Sequence, residues 1–560
     1  MHQIRQFLKE CWALARPYWV SEEKLGARLL LAVIVALNLG EVYINVLLNQ
    51  WNNDFYNSLQ TVNKDAFIEA LIRFTYLAFS FIVVAVYKVY LNQMLRLKWR
   101  RWMTNQWLEK WLANQRYYRM QLIGTPTDNP DQRISEDVEQ FIQLSLGLTL
   151  GMLSSVVTLF SFLTILWGLS GSLDIPLFGF TLSIPGYMLW VALIYAAAGT
   201  WLTMKIGRPL IRLNFDQQRY EADFRFGLVR LRENSESVAF YHGELREQAG
   251  FMERFSSVVD NFWKIMKRQK TLTWFTSGYH QIAIIFPFVV ASPRFFAGHI
   301  QLGGLMQTAS AFGRVQDALS YLIDVYTSLA TWNAVVQRLA GFEASMQKAD
   351  DTLAPRTEFT IERGGDRVEA SRLDIRLPQG SALLSGVDLT LRAGQSLLIT
   401  GPSGAGKSTL LRCLAGLWPF VDGSLKLPDE KRMMFIPQKP YLPLGTLRQA
   451  MYYPAAPKWH DARLLEVLRA CRLGHLEGRL DEMVAWSRVL SLGEQQRVAF
   501  ARILLARPEF IFLDEASSAL DEPTETLLYG LLKEQLPGSA LISVGHRASL
   551  KIFHDTEKSL

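Results

Sequence analysis

The run Gly401-Pro402-Ser403-Gly404-Ala405-Gly406-Lys407-Ser408-Thr409 fills every fixed position of a G-x-x-x-x-G-K-[ST] phosphate loop. Leu397 to Thr400 reads as a buried strand entering that loop, and Thr409 to Leu414 as the helix leaving it. Glycines let backbone N–H groups converge on phosphate oxygens, and the helix N-terminus adds the positive end of its dipole. In such a loop Lys407 reaches the β- and γ-phosphates and Ser408 ligates Mg²⁺. The expected ligands are therefore ATP and Mg²⁺.

Further groups follow in order. Phe510-Ile511-Phe512-Leu513 is an apolar strand ending in Asp514 and Glu515, which suits an Asp that fixes hydrated Mg²⁺ and a Glu that polarises an attacking water. Gln438, after Met433–Ile436, can bridge the metal and the loop, and His546, after Ala540–Val544, is placed to contact a γ-phosphate. Either alone would be an ordinary polar residue at a strand end; the ensemble is what points to catalysis. Leu490-Ser491-Leu492-Gly493-Glu494 opens a helix with a Ser-x-Gly turn, a second phosphate-binding N-terminus.

Stepping upstream, the chain changes character. A hydrophobic fraction of 49% beside 20% charge in 560 residues implies membrane spans joined to a polar domain. Residues 1–25 are amphipathic, with Leu8, Trp12, Tyr18 and Trp19 among Arg5, Lys9, Arg16 and Lys24, and are read as an uncleaved segment lying on membrane lipid. Six spans of about 20 residues are expected near 26–50, 69–93, 141–170, 181–204, 274–298 and 303–333, with Pro287 and Pro293 placed to shorten or kink the fifth. The stretches 96–133 and 205–270 are strongly basic and 171–183 carries no cation, so the basic segments and both termini are cytoplasmic by the positive-inside rule. That topology accounts for the net charge of +7 without nucleic acid as a partner. Cys11, Cys413 and Cys471 form no metal-ligand spacing and fit a reducing compartment.

With the phosphate loop, Gln438, the Ser-Leu-Gly turn, Asp514-Glu515, Ser517-Ser518-Ala519-Leu520-Asp521 and His546 in order, residues 369–560 resemble the ATPase of ABC transporters. Asn129-Pro130-Asp131-Gln132-Arg133-Ile134, Phe224–Glu236 and the Leu490–Glu494 turn extend the resemblance over nearly the whole chain. Together they resemble subfamily D, which holds the peroxisomal acyl-CoA transporters, and the bacterial SbmA/BacA-type peptide uptake proteins with their ATPase-bearing relatives. The resemblance implies six transmembrane helices in an ABC exporter-like fold, fused to an α/β P-loop ATPase. It implies a transmembrane domain over 26–340, a linker over 341–368 and an ATPase domain over 369–560. It also implies a homodimer, in which each ATP is held between one phosphate loop and the Ser491 and Gly493 turn of the partner. Leu492 and Glu494 depart from the usual Gly and Gln of that turn, and Leu377 or a neighbour stands where an aromatic residue usually stacks on adenine.

The resulting expectation is ATP-driven uptake of a hydrophilic solute, such as a peptide or cobalamin, across a bacterial inner membrane. Fatty acyl-CoA or lipid-like cargo, and a nucleotide-gated sensor without cargo, are the alternatives. Asn129–Asp137 and Arg230–Glu236 are expected to carry ATPase motion to the spans by touching the ATPase domain near 438–447. Asn38, Glu41, Asn45, Asn49 and Asn52 share one face of the first span, and Gln307, Ser310, Arg314, Asp317, Tyr321 and Asp324 do the same in the sixth. Ionisable groups at membrane depth cost about 2.5–3.5 kcal/mol each, so these stripes face either a water-filled cargo cavity or other helices, with Arg314 paired to Asp317 in the second case.

Overall fold

Apolar stripes at helical spacing build the first half of the chain. A computed structural model describes residues 2–122, 129–177, 180–352, 359–456, 458 and 460–560. It divides into two units, one of residues 1–113 with 127–344, the other of 114–126 with 345–560.

The first unit opens with helix α1 (His2–Val20), followed by α2 (Lys24–Gln60), α3 (Lys64–Leu112) and the short α4 (Arg116–Leu122), which belongs to the second unit. Helix α5 (Val138–Ser170) leads into a hairpin of β1 (Ser172–Leu177) and β2 (Phe180–Pro185). Then come α6 (Tyr187–Glu233), α7 (Ser235–Phe240), α8 (Glu244–Phe296), α9 (Leu302–Asp324) and α10 (Tyr326–Thr352). Helix α8 runs through both Pro287 and Pro293, so neither shortens it as expected. Among the described residues five helical segments are long and apolar enough to cross a membrane, ending in turn with Lys24–Gln60, Lys64–Leu122, Pro130–Ser170, Tyr187–Glu233 and Glu244–Phe296. The sixth expected span is not among them. Its polar stripe lowers its hydropathy, and α9 and α10 divide at Val325.

The structure divides the two polar stripes between contacts with other helices and exposed positions. Asn38 donates to the Leu150 carbonyl at 3.0 Å and Asn49 to the Gln307 carbonyl at 3.1 Å, while the Gln307 side chain accepts from Asn53 at 2.6 Å. Glu41 pairs with Lys88 on α3. Arg314 does not pair with Asp317; it donates to Asn45 at 3.0 Å. One face of each stripe therefore joins α2 to α5 and α9. The opposite face of α9 buries Ala311, Phe312 and Val315 against Phe162, Leu166 and Ala192. Arg314, Asp317 and Asp324 stay exposed.

At the start of α5, Asp137 is buried between two guanidiniums. It pairs with Arg133 one turn earlier and accepts from Arg338 on α10 at 2.6 and 3.0 Å. Asn129–Asp137, expected at the ATPase surface, lies in the membrane unit, and Arg133, Ile134 and Asp137 are buried there. The earlier stretch 114–126 belongs to the second unit, and its residues 123–126 lie outside the described residues.

In the second unit, Leu122 of α4 packs against the core and Arg116 pairs with Asp350 at 2.7 Å. The expected linker contains the end of α10, then β3 (Phe359–Arg363) and the start of β4 (Arg367–Arg376), with 353–358 outside the described residues. Strands β3, β4, β5 (Ala382–Arg392) and β7 (Val421–Leu427) form one sheet in the order β3-β7-β4-β5. The other sheet is parallel and holds β6 (Ser396–Thr400), β8 (Met433–Ile436), β9 (Phe510–Asp514), β10 (Ala540–Val544) and β11 (Thr556–Ser559) in the order β11-β6-β10-β9-β8. Strands β6, β9 and β10 are apolar because helices and the second sheet bury both their faces, which is why they read as unbroken hydrophobic runs. Their C-terminal ends emerge side by side, as open α/β sheets require of a ligand site.

Candidate nucleotide site

Strand β6 delivers the chain into Gly401–Gly406, and α11 (Lys407–Leu414) leaves it. Gly401 takes φ +140°, and a Cβ there would lie 2.8 Å from the Leu560 carbonyl oxygen, so no larger residue makes this turn. Pro402, Ser403 and Gly404 form an exposed rim, Ala405 closes on the Pro402 carbonyl at 3.3 Å, and Thr409 is buried in α11. Lys407 folds back over the loop, its Nζ donating to the Gly401 and Pro402 carbonyls at 2.8 Å each. This ammonium spans the loop that should hold phosphate, and replacing it removes both the span and the charge. Lys407→Ala should weaken ATP binding about tenfold to a hundredfold, the worth of one charge-assisted hydrogen bond, in equilibrium binding with a fluorescent ATP analogue. Parental affinity would show that Lys407 does not reach the phosphates.

The end of β9 supplies the carboxylates. Asp514 Oδ1 accepts from the Ser408 hydroxyl at 2.9 Å, which ties the loop to the strand. Burial pushes the Asp514 carboxyl up from its ordinary value; the Ser408 bond opposes that, and neighbouring Glu515 adds to it. Glu515 stands at φ +47°, a left-handed backbone that a non-glycine residue adopts only when its surroundings hold it, here through Glu515 N–H to the Val544 carbonyl at 3.1 Å. Gln438 Nε2 donates to Glu515 Oε2 at 3.0 Å, and His546 Nε2 lies 3.4 Å from Glu515 Oε1. The fold thus gathers Ser408, Asp514, Glu515, Gln438 and His546 from four strand ends.

Ser491, Gly493 and Glu494 sit elsewhere, at the start of α12 (Leu492–Ala506). Among the described residues no hydrogen bond joins them to the phosphate loop. Ser491 and Glu494 form a capping box, worth about 0.5–2 kcal/mol to a helix start. A Cβ on Gly493 would lie 3.0 Å from the Ala519 carbonyl oxygen, so the glycine allows a close approach there. Leu377 heads the turn from β4 to β5 and packs on the core.

Gln496 was not singled out in the sequence. It is fully buried, and its amide donates to the Gln438 carbonyl at 2.9 Å and to Ser518 Oγ at 3.1 Å while accepting the Ala519 N–H at 3.0 Å. It joins the Ser-x-Gly helix to the loop that holds Gln438 and to the Ser517–Asp521 segment. The only signal in the chain was a polar residue on the apolar face of α12. Gln496→Ala strips partners from two backbone groups and should lower thermal stability by about 1–3 kcal/mol, read by thermal unfolding of the full chain.

The profile of the family described as ABC transporter transmembrane region 2 matches residues 14–296, and that described as ABC transporter matches 384–518. The chain belongs to the ABC transporter family. The inner membrane ABC transporter ATP-binding protein YddA of Escherichia coli is 33% identical over 97% of this chain and 96% of its own length. The lysosomal cobalamin transporter ABCD4 of Mus musculus is 30% identical over 96% of this chain and 91% of its own. A bacterial Atm1-family ABC exporter solved with ATP bound superposes with a TM-score of 0.71 over 95% of this chain and 93% of that one, at 18% identity, a likeness of fold. This ABC transporter is accordingly an integral membrane protein with an exporter-like helical domain fused to a P-loop ATPase, and it binds and hydrolyses ATP to drive transport.

Proposed function

We propose that this transporter works as a homodimer in a bacterial inner membrane, with its ATPase domains cytoplasmic, and takes up a hydrophilic solute such as a peptide or a corrinoid. The observation that carries the reading is the exposure of Arg314, Asp317 and Asp324 along a helix whose other face is packed in the core. Charged side chains exposed along a helix whose other face is packed need water or a polar cargo beside them. The relative named a cobalamin transporter and the inner-membrane relative support the cargo class and the location.

In the catalytic cycle Lys407 and the loop amides hold the ATP phosphates, and the Ser491 and Gly493 turn of one copy closes on the nucleotide of the other. Glu515 orients and polarises the attacking water, Gln438 holds Glu515 in place, and His546 contacts the γ-phosphate. Mg²⁺ fits the site, because the Ser408 hydroxyl and the half-buried Asp514 carboxylate present hard oxygen donors 2.9 Å apart. When bound it neutralises phosphate charge. A membrane domain over 26–340, a linker over 341–368 and an ATPase domain over 369–560 belong to this reading, and the division between the two units at Ala344 supports it.

The deciding experiment is flux in proteoliposomes, with ATP supplied to the ATPase face and a corrinoid, a peptide or an acyl-CoA on the other. Arg314→Ala with Asp317→Ala should lower hydrophilic uptake about tenfold or more while ATP binding stays parental. ATP-driven export, or flux unchanged in the double variant, overturns the reading. A second reading, lipid-like cargo, draws on a cavity of about 660 Å³ between α6, α8 and α10, where Lys205 and Arg208 stand beside Trp201, Met204, Leu210 and Leu272. Two cations at the rim of an apolar cavity suit an amphiphilic anion, and acyl-CoA flux lost in Lys205→Ala with Arg208→Ala would establish it.

A further inference from the structure

Ser491 has one hydroxyl proton, and the hydrogen-bond geometry around it assigns its direction. Its Oγ is 2.9 Å from Glu494 Oε2, and the same Oγ accepts the Glu494 N–H at 3.3 Å. Glu494 Oε2 also accepts the Ser491 N–H at 2.9 Å. Partial burial draws the Glu494 carboxyl upward, but the Ser491 bonds, His475 and Arg497 outweigh it and hold the group below the usual carboxylate range. An ionised carboxylate has no proton to give, so the hydroxyl donates to Glu494 and turns only lone pairs outward. A phosphate oxygen also carries only lone pairs. In this arrangement the two repel.

We propose that Glu494 is a positioning residue that holds the Ser491 hydroxyl proton away from nucleotide until an ATP phosphate competes for it, and that His475 sets the strength of that hold. The inference rests on the reading that Ser491 faces the ATP phosphates of the partner copy. For the hydroxyl to turn, Glu494 must be satisfied without it. The surroundings provide for this: His475 Nε2 lies 2.9 Å from Glu494 Oε1, Arg497 Nη2 lies 3.9 Å from the same oxygen, and the Ser491 N–H stays on Oε2. Glu494 also places a negative charge one side chain away from where an anion must dock. Protonated His475 offsets that charge, and neutral His475 does not.

The titratable groups around the pair are few, and most are engaged elsewhere. Glu477, on the turn that carries His475, is held by Arg469 at 2.7 and 2.8 Å, Arg479 pairs with Glu482, and Arg472 donates to Thr524 at 2.9 Å. Arg497 also donates to the Arg472 carbonyl at 2.7 Å. His475 and Arg497 are therefore the groups that face the Glu494 carboxylate.

The test is steady-state ATPase kinetics of the full chain in proteoliposomes. Glu494→Gln keeps an acceptor for the capping box and removes the charge, and should lower KM for ATP about threefold to tenfold with little change in kcat, the worth of one hydrogen bond. His475→Ala removes the imidazole that faces Glu494 Oε1, leaves the Ser491 hydroxyl more firmly held, and should raise KM for ATP about threefold with little change in kcat. Ser491→Ala separates the two levels of the argument. If it raises KM while Glu494→Gln leaves KM unchanged or higher, the hold by Glu494 is refuted and Ser491 still faces nucleotide. If Ser491→Ala leaves KM and kcat as in the parent, the placement of Ser491 on the nucleotide is itself wrong. Should Glu494→Gln fail to fold, a parental KM in His475→Ala overturns the proposal by itself.

Discussion

Glu515→Gln is expected to bind ATP with parental affinity and to hydrolyse it about 10²–10⁴-fold more slowly, the range that a positioned general base contributes. Gln438 and His546 converge on this carboxylate, and its left-handed backbone is kept by the bond to Val544. The amide keeps the shape and the Gln438 contact but cannot accept a proton from water. Phosphate-binding groups are untouched, so the ATP-bound closed dimer should accumulate. Phosphate release by the purified variant, together with gel filtration in ATP, checks both halves of the expectation. Hydrolysis at the parental rate would remove Glu515 from the catalytic role and leave His546 as the candidate.

Asp137→Ala is expected to destabilise the membrane unit by about 3–5 kcal/mol, because it removes the carboxylate shared by two guanidiniums in a buried setting. Asp137 is 1% exposed and Arg133 4%, so water cannot take over the lost interaction. Arg338 brings α10 to the same carboxylate, which makes the cluster a tie between the start of α5 and the helix that runs on toward the ATPase chain. Asp137→Asn retains an acceptor and should fall between the two. Thermal inactivation in detergent reads the order parent, Asn, Ala. An alanine variant as stable as the parent would show that the cluster does not hold these helices together.

Two kinds of information were involved, and the chain carried them unequally. The phosphate loop, the strand ending in Asp514-Glu515, Gln438, His546 and the Ser-Leu-Gly turn were legible because each is a local device. Loop glycines, a strand end and a helix N-terminus act through backbone geometry a few residues long, and their order along the chain is that of the ABC family. The long helices were legible for the same reason, since hydropathy sums over neighbours in sequence. What a polar side chain meets is not local. Asn38, Asn49 and Gln307 became ties between helices, and Arg314 met Asn45 instead of Asp317, because the partner was set by which helix lay opposite at that depth. Gln496 gains its role only because the fold puts the Gln438 carbonyl and the Ala519 N–H around it. The same holds for Asp137, whose two guanidiniums come from one turn before it and from a helix 201 residues later. Sequence determined the chemistry of the nucleotide site and the class of the molecule, because those reside in contiguous motifs. Tertiary structure decided which polar groups tie helices together and which stay open, because burial and hydrogen bonding depend on neighbours that the chain brings from far away.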